Sequence, residues 1–186
     1  SYPELTPQGA FRLEVKFRPA ETISAKKVQI MLWDSKYIVT PGAKTDHRSN
    51  SGFALALRRS GSRWIPVFHV GYGTSSLTVN GKPFDLSSDR YHTVSVDFSP
   101  GLVKFRVDGE ENAEVAIASP GPPAKAYSRP TVGDRSGSNY WGFEGDIAEV
   151  TLSEIPLKKL IVSPANRTGF IRLESSPVLT LQLYNN

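Results

Sequence analysis

Between Tyr91 and Glu111 the chain reads YHTVSVDFSPGLVKFRVDGEE, and this stretch decides the fold. Tyr91, Thr93, Ser95 and Asp97 alternate with His92, Val94, Val96 and Phe98, the period-two pattern of a half-buried β-strand. Ser99-Pro100-Gly101 supplies a turn. Val103, Phe105 and Val107 then alternate with Lys104 and Arg106 before a second turn at Asp108-Gly109, so the stretch reads as a meander.

The same period extends outward in both directions. In FRLEVKF, Phe11, Leu13, Val15 and Phe17 share a face opposite Arg12, Glu14 and Lys16. VQIMLW, Val28 to Trp33, is continuously apolar and suits a strand covered on both faces. FALALRRSGSRWIPVFHV reads as a hairpin with arms Phe53 to Arg58 and Arg63 to Val70. SLTVNGKPFDL reads as a second, with Asn80-Gly81 providing the positive φ angles of a tight turn. Downstream, SPGPPAKAYSRP is too rich in proline for a central strand, and TVGD, the loop RSGSNYWG and the strand FEGDIAEVTLSE follow it. The tail from Leu160 to Asn186 offers LIV, GFIRL and VLTLQLY as returning strands that close the sheets. No stretch carries a helical stripe with caps. Short strands linked by turns predict an all-β, two-sheet antiparallel β-sandwich of jelly-roll type.

With 186 residues the chain is long enough for one buried core and is read as a single domain, 1–186. The absence of cysteine excludes disulfides, thiolate metal sites and a cysteine nucleophile. No apolar run is long enough to cross a bilayer, so no membrane insertion is expected. The chain opens Ser-Tyr-Pro without an initiator Met or a signal core, which suggests a trimmed piece of something longer. A formal net charge of +4 gives a mild attraction to polyanions. Nucleic acid is not the expected partner, because the basic residues lack aromatic interleaving and no helix is available for a groove.

The order of segments resembles the laminin G-like members of the concanavalin A-like lectin and glucanase superfamily. GAFRLEVKFRP matches an opening strand, GFALALRR a display strand, DRYHTVSVDFSPGLVKFRVDGE the aromatic-His-x-Val meander, and TVGD with GFEGDIAEVTLSEIPL the closing strand. The match covers about residues 10 to 157 in order. It departs from animal members in lacking the closing disulfide, and residues 158–186 match nothing recognisable. The resemblance implies non-catalytic recognition of carbohydrate, glycosaminoglycan or protein, often with calcium at one rim. It also implies a secreted or cell-surface module of a larger adhesin, matrix protein or carbohydrate-active enzyme.

Candidate sites follow from residue chemistry. In the loop GDRSGSNYWG, Tyr140 and Trp141 could stack on a sugar ring while Asp134, Arg135 and Asn139 bind its hydroxyl or acid groups; alternatively Trp141 plugs the edge of the core. Arg48, Arg58, Arg59 and Arg63 beside Trp64 suit a sulfated or sialylated glycan if they converge, although adjacent Arg58 and Arg59 cannot face the same way. No cofactor is required. A calcium ion, if bound, would draw on Asp34, Asp46 and Asp134. Glu144, Asp146 and Glu149 have the look of a glycoside hydrolase row, yet Glu149 shares a face with the others only across a bulge. They read instead as a solvated face, so no catalytic residue is assigned. An extracellular protein is the alternative partner. His92 reads as structural, and Asn166-Arg167-Thr168 fits the N-glycosylation pattern.

Overall fold

The computed structural model describes residues 5–37, 50–127, 129–135, 141–155, 161–165 and 168–172, the last two ranges by backbone alone. The chain divides into two compact units, Ser1–Ser153 and Glu154–Asn186. The first is a sandwich of two five-stranded antiparallel sheets, with no α-helix among the described residues. One sheet runs β10-β1-β6-β7-β8: β10 (Gly145–Glu154), β1 (Phe11–Pro19), β6 (His92–Ser99), β7 (Leu102–Val107) and β8 (Glu110–Ala116). The other runs β5-β4-β3-β2-β9: β5 (Ser76–Asn80), β4 (Arg63–Gly71), β3 (Phe53–Ser60), β2 (Gln29–Asp34) and β9 (Thr131–Val132).

The meander forms as its alternation predicts, with Val96 opposite Phe105 and Phe98 opposite Val103. Its second turn places Asp108 and Gly109 at φ 53° and 87°, the left-handed pair that matches the twist of a two-residue hairpin. Inward side chains of both sheets meet in one core, where the Phe11 ring lies 4.8 Å from Phe53 and 5.3 Å from Phe98. Each such ring removed from water stabilises the fold by about 1.5–3 kcal/mol. His92 is structural: it is buried, with Nδ1 3.0 Å from Asp108 Oδ2 and Nε2 accepting from Ser87 N at 3.2 Å, so it ties a loop to the meander turn.

Two expectations are corrected. Asn80-Gly81 does not close a hairpin, because β5 instead pairs back onto β4, and Gly81 N donates to Pro66 O. Gly81 serves close approach: a Cβ there would collide with Asn112 Oδ1 and Pro66 Cγ. In the tail, β11 (Ile161–Ala165) and β12 (Thr168–Arg172) pair antiparallel with each other and join neither five-stranded sheet. VLTLQLY, Asn166 and Arg167 lie outside the described residues.

One irregularity positions the site. Along β2, Met31 pairs with Ala56 but Trp33 pairs with Leu55, so Leu32 is an extra residue in a β-bulge. Leu32 and Trp33 both enter the core, and Asp34 emerges on the opposite, outer face beside Ala54.

Candidate functional site on the outer face of the second sheet

The outer face of this sheet is built from small residues. Phe53, Leu55 and Leu57 alternate inward along β3, leaving Ala54 and Ala56 outward, where they pack with Met31 beneath Tyr37 and Trp141. Trp141 is therefore not a plug of the inter-sheet core. It sits on the outer face, and its carbonyl accepts from Met31 N at 2.9 Å, which satisfies β2 beyond its short pairing with β9.

Around this trough gathers a set of polar groups that strand register brings together. Asp34 ends β2 in an Asx turn, its Oδ1 accepting from Lys36 N and Tyr37 N at 2.9 Å each. Its Oδ2 is buried and has no hydrogen-bond partner among the described residues. Burial pushes the Asp34 carboxyl up to about 6, against the pull of those two amides, Arg135 and Lys36. Burial likewise lowers the Lys36 ammonium to about 8, with Arg135 adding to the effect. The Arg135 guanidinium lies 4.2 Å from the centre of the Tyr37 ring and the Lys36 ammonium 4.3 Å, both cation–π contacts. Arg135 Nε is buried and likewise without a partner among the described residues.

His69, which faces Ala54 from β4, reports the field at this surface. Its Nδ1 lies 2.9 Å from Thr78 Oγ1 and its Nε2 3.5 Å from Gln29 Nε2; donation by Gln29 makes Nε2 the acceptor and Nδ1–H the donor. Burial first, then Lys36, Arg58 and Arg135, lower its pKa to about 4. Lys36, Arg58 and Arg135 thus lie close enough to His69 to disfavour its charged form, with burial the larger cause.

Of the residues singled out from sequence, the structure brings Asp34, Arg135 and Trp141 to this face, with Arg58 on the same side of β3. Asp134 flanks it, its Oδ1 accepting from Arg135 N at 2.7 Å. Arg63 does not join them, since it lies 3.2 Å from Asp85 near the β3–β4 hairpin tip. Arg59 turns to the opposite face and stacks on Trp64 at 4.6 Å. Arg48, Asp46, Asn139 and Tyr140 lie outside the described residues. Lys36, Tyr37 and His69 were not singled out beforehand. The available signal was the alanine pair in FALAL, where small apolar residues replace the polar ones that an open outer face carries.

The described residues do not make a calcium cage. One oxygen of Asp34 already accepts two amide bonds, its nearest charges are cations, and no cluster of His, Asp or Glu able to hold a metal occurs among the described residues.

The acidic row sits elsewhere. On β10, core contacts step from Ile147 to Val150, so the alternation breaks and Glu149 shares the outer side with Asp146. The bulge condition is met, but the acids are separately engaged. Glu144 accepts from Ser24 N at 2.8 Å and pairs with Lys27 at 3.2 Å, while Asp146 pairs with Arg18 at 2.7 Å. The Ser24 amide and Lys27 hold the Glu144 carboxyl below its ordinary value, the reverse of what a general acid needs. Gly145, between them, lies where a Cβ would run into Arg18 O and Pro19 Cα, which accounts for the missing apolar residue.

Two five-stranded sheets around one core, with the meander at the heart of one of them, define a laminin G-like jelly roll of the concanavalin A-like type. Solved structures that share it include the mouse laminin α1 chain domains LG4-5 (15% identity, TM-score 0.52, 78% of this chain and 36% of that one). The CBM40 of the Ruminococcus gnavus IT-sialidase, also solved bound to α2,3-sialyllactose, matches at 16% identity and TM-score 0.56 over 78% of this chain and 76% of that one. The enzymatically active domain of bacteriophage CBA120 tailspike protein 2 matches at 15% identity and TM-score 0.55, over 79% of this chain and 22% of that one. The chain thus spans about a third or less of the laminin and tailspike chains, and at these identities the likeness is one of fold. No protein-family model and no curated protein matches the sequence.

Proposed function

We propose that this chain is a non-catalytic carbohydrate-binding module of an extracellular protein, and that it recognises an anionic glycan, sulfated or sialylated, on the outer face of the second sheet. The observation that carries this reading is the convergence of Lys36 and Arg135 over Tyr37, with Arg58 on the same side, beside the buried carboxyl of Asp34. Arg135 holds a planar guanidinium against the Tyr37 ring on this face. A guanidinium of this kind matches a carboxylate or sulfate, and Trp141 supplies aromatic surface beside it. The CBM40 neighbour bound to sialyllactose shows that this fold accommodates an acidic sugar in another protein. The non-catalytic part rests on the acidic row, which lies on the open edge strand: Glu144 is paired with Lys27 and the Ser24 amide, Asp146 with Arg18, and Glu149 accepts from the Thr151 hydroxyl.

Calorimetric titration with 3′-sialyllactose, a sulfated lactose and plain lactose, at two salt concentrations and with and without calcium, tests the reading. Anionic sugars should bind roughly tenfold or more tighter than lactose, with the preference weakened by salt and lost in Arg135→Ala. Equal binding of lactose, or no binding of any glycan, would remove the anionic lectin reading in favour of a protein partner.

A further inference from the structure

Beyond the outer face, the protein holds a second concavity of different chemistry. A cavity of about 450 Å³ opens between the β1–β2 connection (Pro19, Ala20, Glu21, Thr22, Ile23), the tip of the β3–β4 hairpin (Arg59, Ser62, Trp64) and the segment Leu86–Asp89. That volume lies within the range of small-ligand sites, about 300–1,000 Å³. Ile23 and Leu86 pack against the core and give it apolar walls. Trp64 is buried, covered by the Arg59 guanidinium at 4.6 Å.

The polar lining is preorganised and largely unspent. Arg59 donates through Nε to Lys27 O at 3.3 Å, and through Nη2 to Ile23 O at 3.3 Å and Ser24 O at 3.4 Å, which fixes the guanidinium. Its Nη1 makes no hydrogen bond among the described residues, and neither do the side chains of Glu21, Thr22, Ser62 and Ser88. Asp89 is held below its ordinary carboxyl value, chiefly by the Ser87 hydroxyl, and so remains an ionised acceptor. Glu21 and Asp89 thus bring two carboxylates to a lining whose cation, Arg59, is held in place by carbonyls.

We infer that this rim cavity is a second saccharide subsite, separate from the anionic face, that takes a neutral or amine-bearing sugar ring and excludes an anionic one. The ring would rest against Ile23 and Leu86, its vicinal hydroxyls bridging the carboxylates of Glu21 and Asp89 and the hydroxyls of Thr22, Ser62 and Ser88. Carboxylates accept from adjacent hydroxyl pairs and repel an acidic sugar, the reverse of the Lys36–Arg135 face. An amine in place of a hydroxyl would gain from the same carboxylates.

Saturation-transfer NMR on the full-length Arg135→Ala chain, in which the anionic face no longer contributes, with glucose, galactose, glucosamine and glucuronate as probes, tests this directly. Signal from a neutral hexose or glucosamine and none from glucuronate is expected, and Ser62→Trp or Ser88→Trp, which fill the cavity from its exposed lip, should weaken binding by roughly tenfold. A cooperative melt of each variant establishes that it is folded. The subsite reading fails if no neutral or amino hexose gives a signal, if glucuronate binds as well as the others, or if both folded tryptophan variants bind like the parent chain.

Discussion

The outer faces of the two sheets follow opposite rules. On the sheet that carries the meander, Arg12 forks onto Asp97 at 2.6 and 2.8 Å, Arg106 reaches the same carboxylate, and Lys104 meets Glu111 and Glu114. These are partly exposed pairs laid cross-strand by register, and each charge meets its opposite. On the other sheet, alanines replace charges, and the polar groups present are buried, unequal in sign and incompletely partnered. A balanced ladder of exposed ion pairs has little left to offer a ligand. A covered face with an excess of cations has, and it holds that excess against its own desolvation.

The comparison can be broken most severely at Ala56, which is fully buried on the outer side. Ala56→Glu would place a carboxylate against Met31 and Tyr37 and should cost about 3–5 kcal/mol in a denaturant melt. Removal of Glu14 from the ladder face should change stability by no more than about 0.5 kcal/mol. A mild effect at Ala56 would show that the alanine face is open rather than covered.

Next in size is a pH effect. Asp34, raised to about 6, stabilises the fold at low pH and loses that contribution as pH rises through 6. His69, lowered to about 4, does the reverse: its contribution is complete above about 6.5 and is lost as pH falls toward 4. Between pH 4 and 6 the two slopes oppose each other. Asp34→Asn should expose the histidine slope, so that the variant loses on the order of 3 kcal/mol as pH drops from 6.5 to 4 while the parent stays nearly flat over that range. Chemical denaturation at four pH values reads this out, and parallel curves would dissolve the coupling.

Smaller effects belong to the ladder. Asp97→Ala strands two guanidinium groups that remain partly solvated, so a loss of about 1–2 kcal/mol is expected from urea midpoints. A loss above that range would mean that the ladder matters as much as the alanine face. Smallest of all, Glu149→Gln on the exposed edge strand should leave stability within about 0.5 kcal/mol. It should also leave glycan binding unchanged, whereas altered binding would bring the acidic row back into the recognition surface.

The fold was legible where a strand's own letters alternate, as in the meander and FRLEVKF, because the period-two signal is local. Glycine was harder to read. Asn80-Gly81 has the letters of a tight turn, but the glycine is there because Pro66 and Asn112 approach it, a fact held in distant parts of the chain. The site was legible only in part for the same reason. Trp141 and Arg135 stand out in a loop, whereas His69, Lys36 and Tyr37 acquire meaning from the registers that set Asp34 and His69 on either side of Ala54. The arginine cluster divided because alternation sends Arg58 and Arg59 to opposite sides.

Leu32 deserves to be seen as a spacer that resets the reading frame of its strand. Were β2 to run through Leu32 as a regular strand, Trp33 would turn to the outer face and Asp34 would point into a core of phenylalanines with nothing there to receive its charge. The chemistry of the surface therefore depends on a local bend of the backbone as much as on the residues beside it. Deletion of Leu32 should leave Trp33 and Asp34 on their present sides, whereas a one-residue insertion between Trp33 and Asp34 should turn the carboxylate inward.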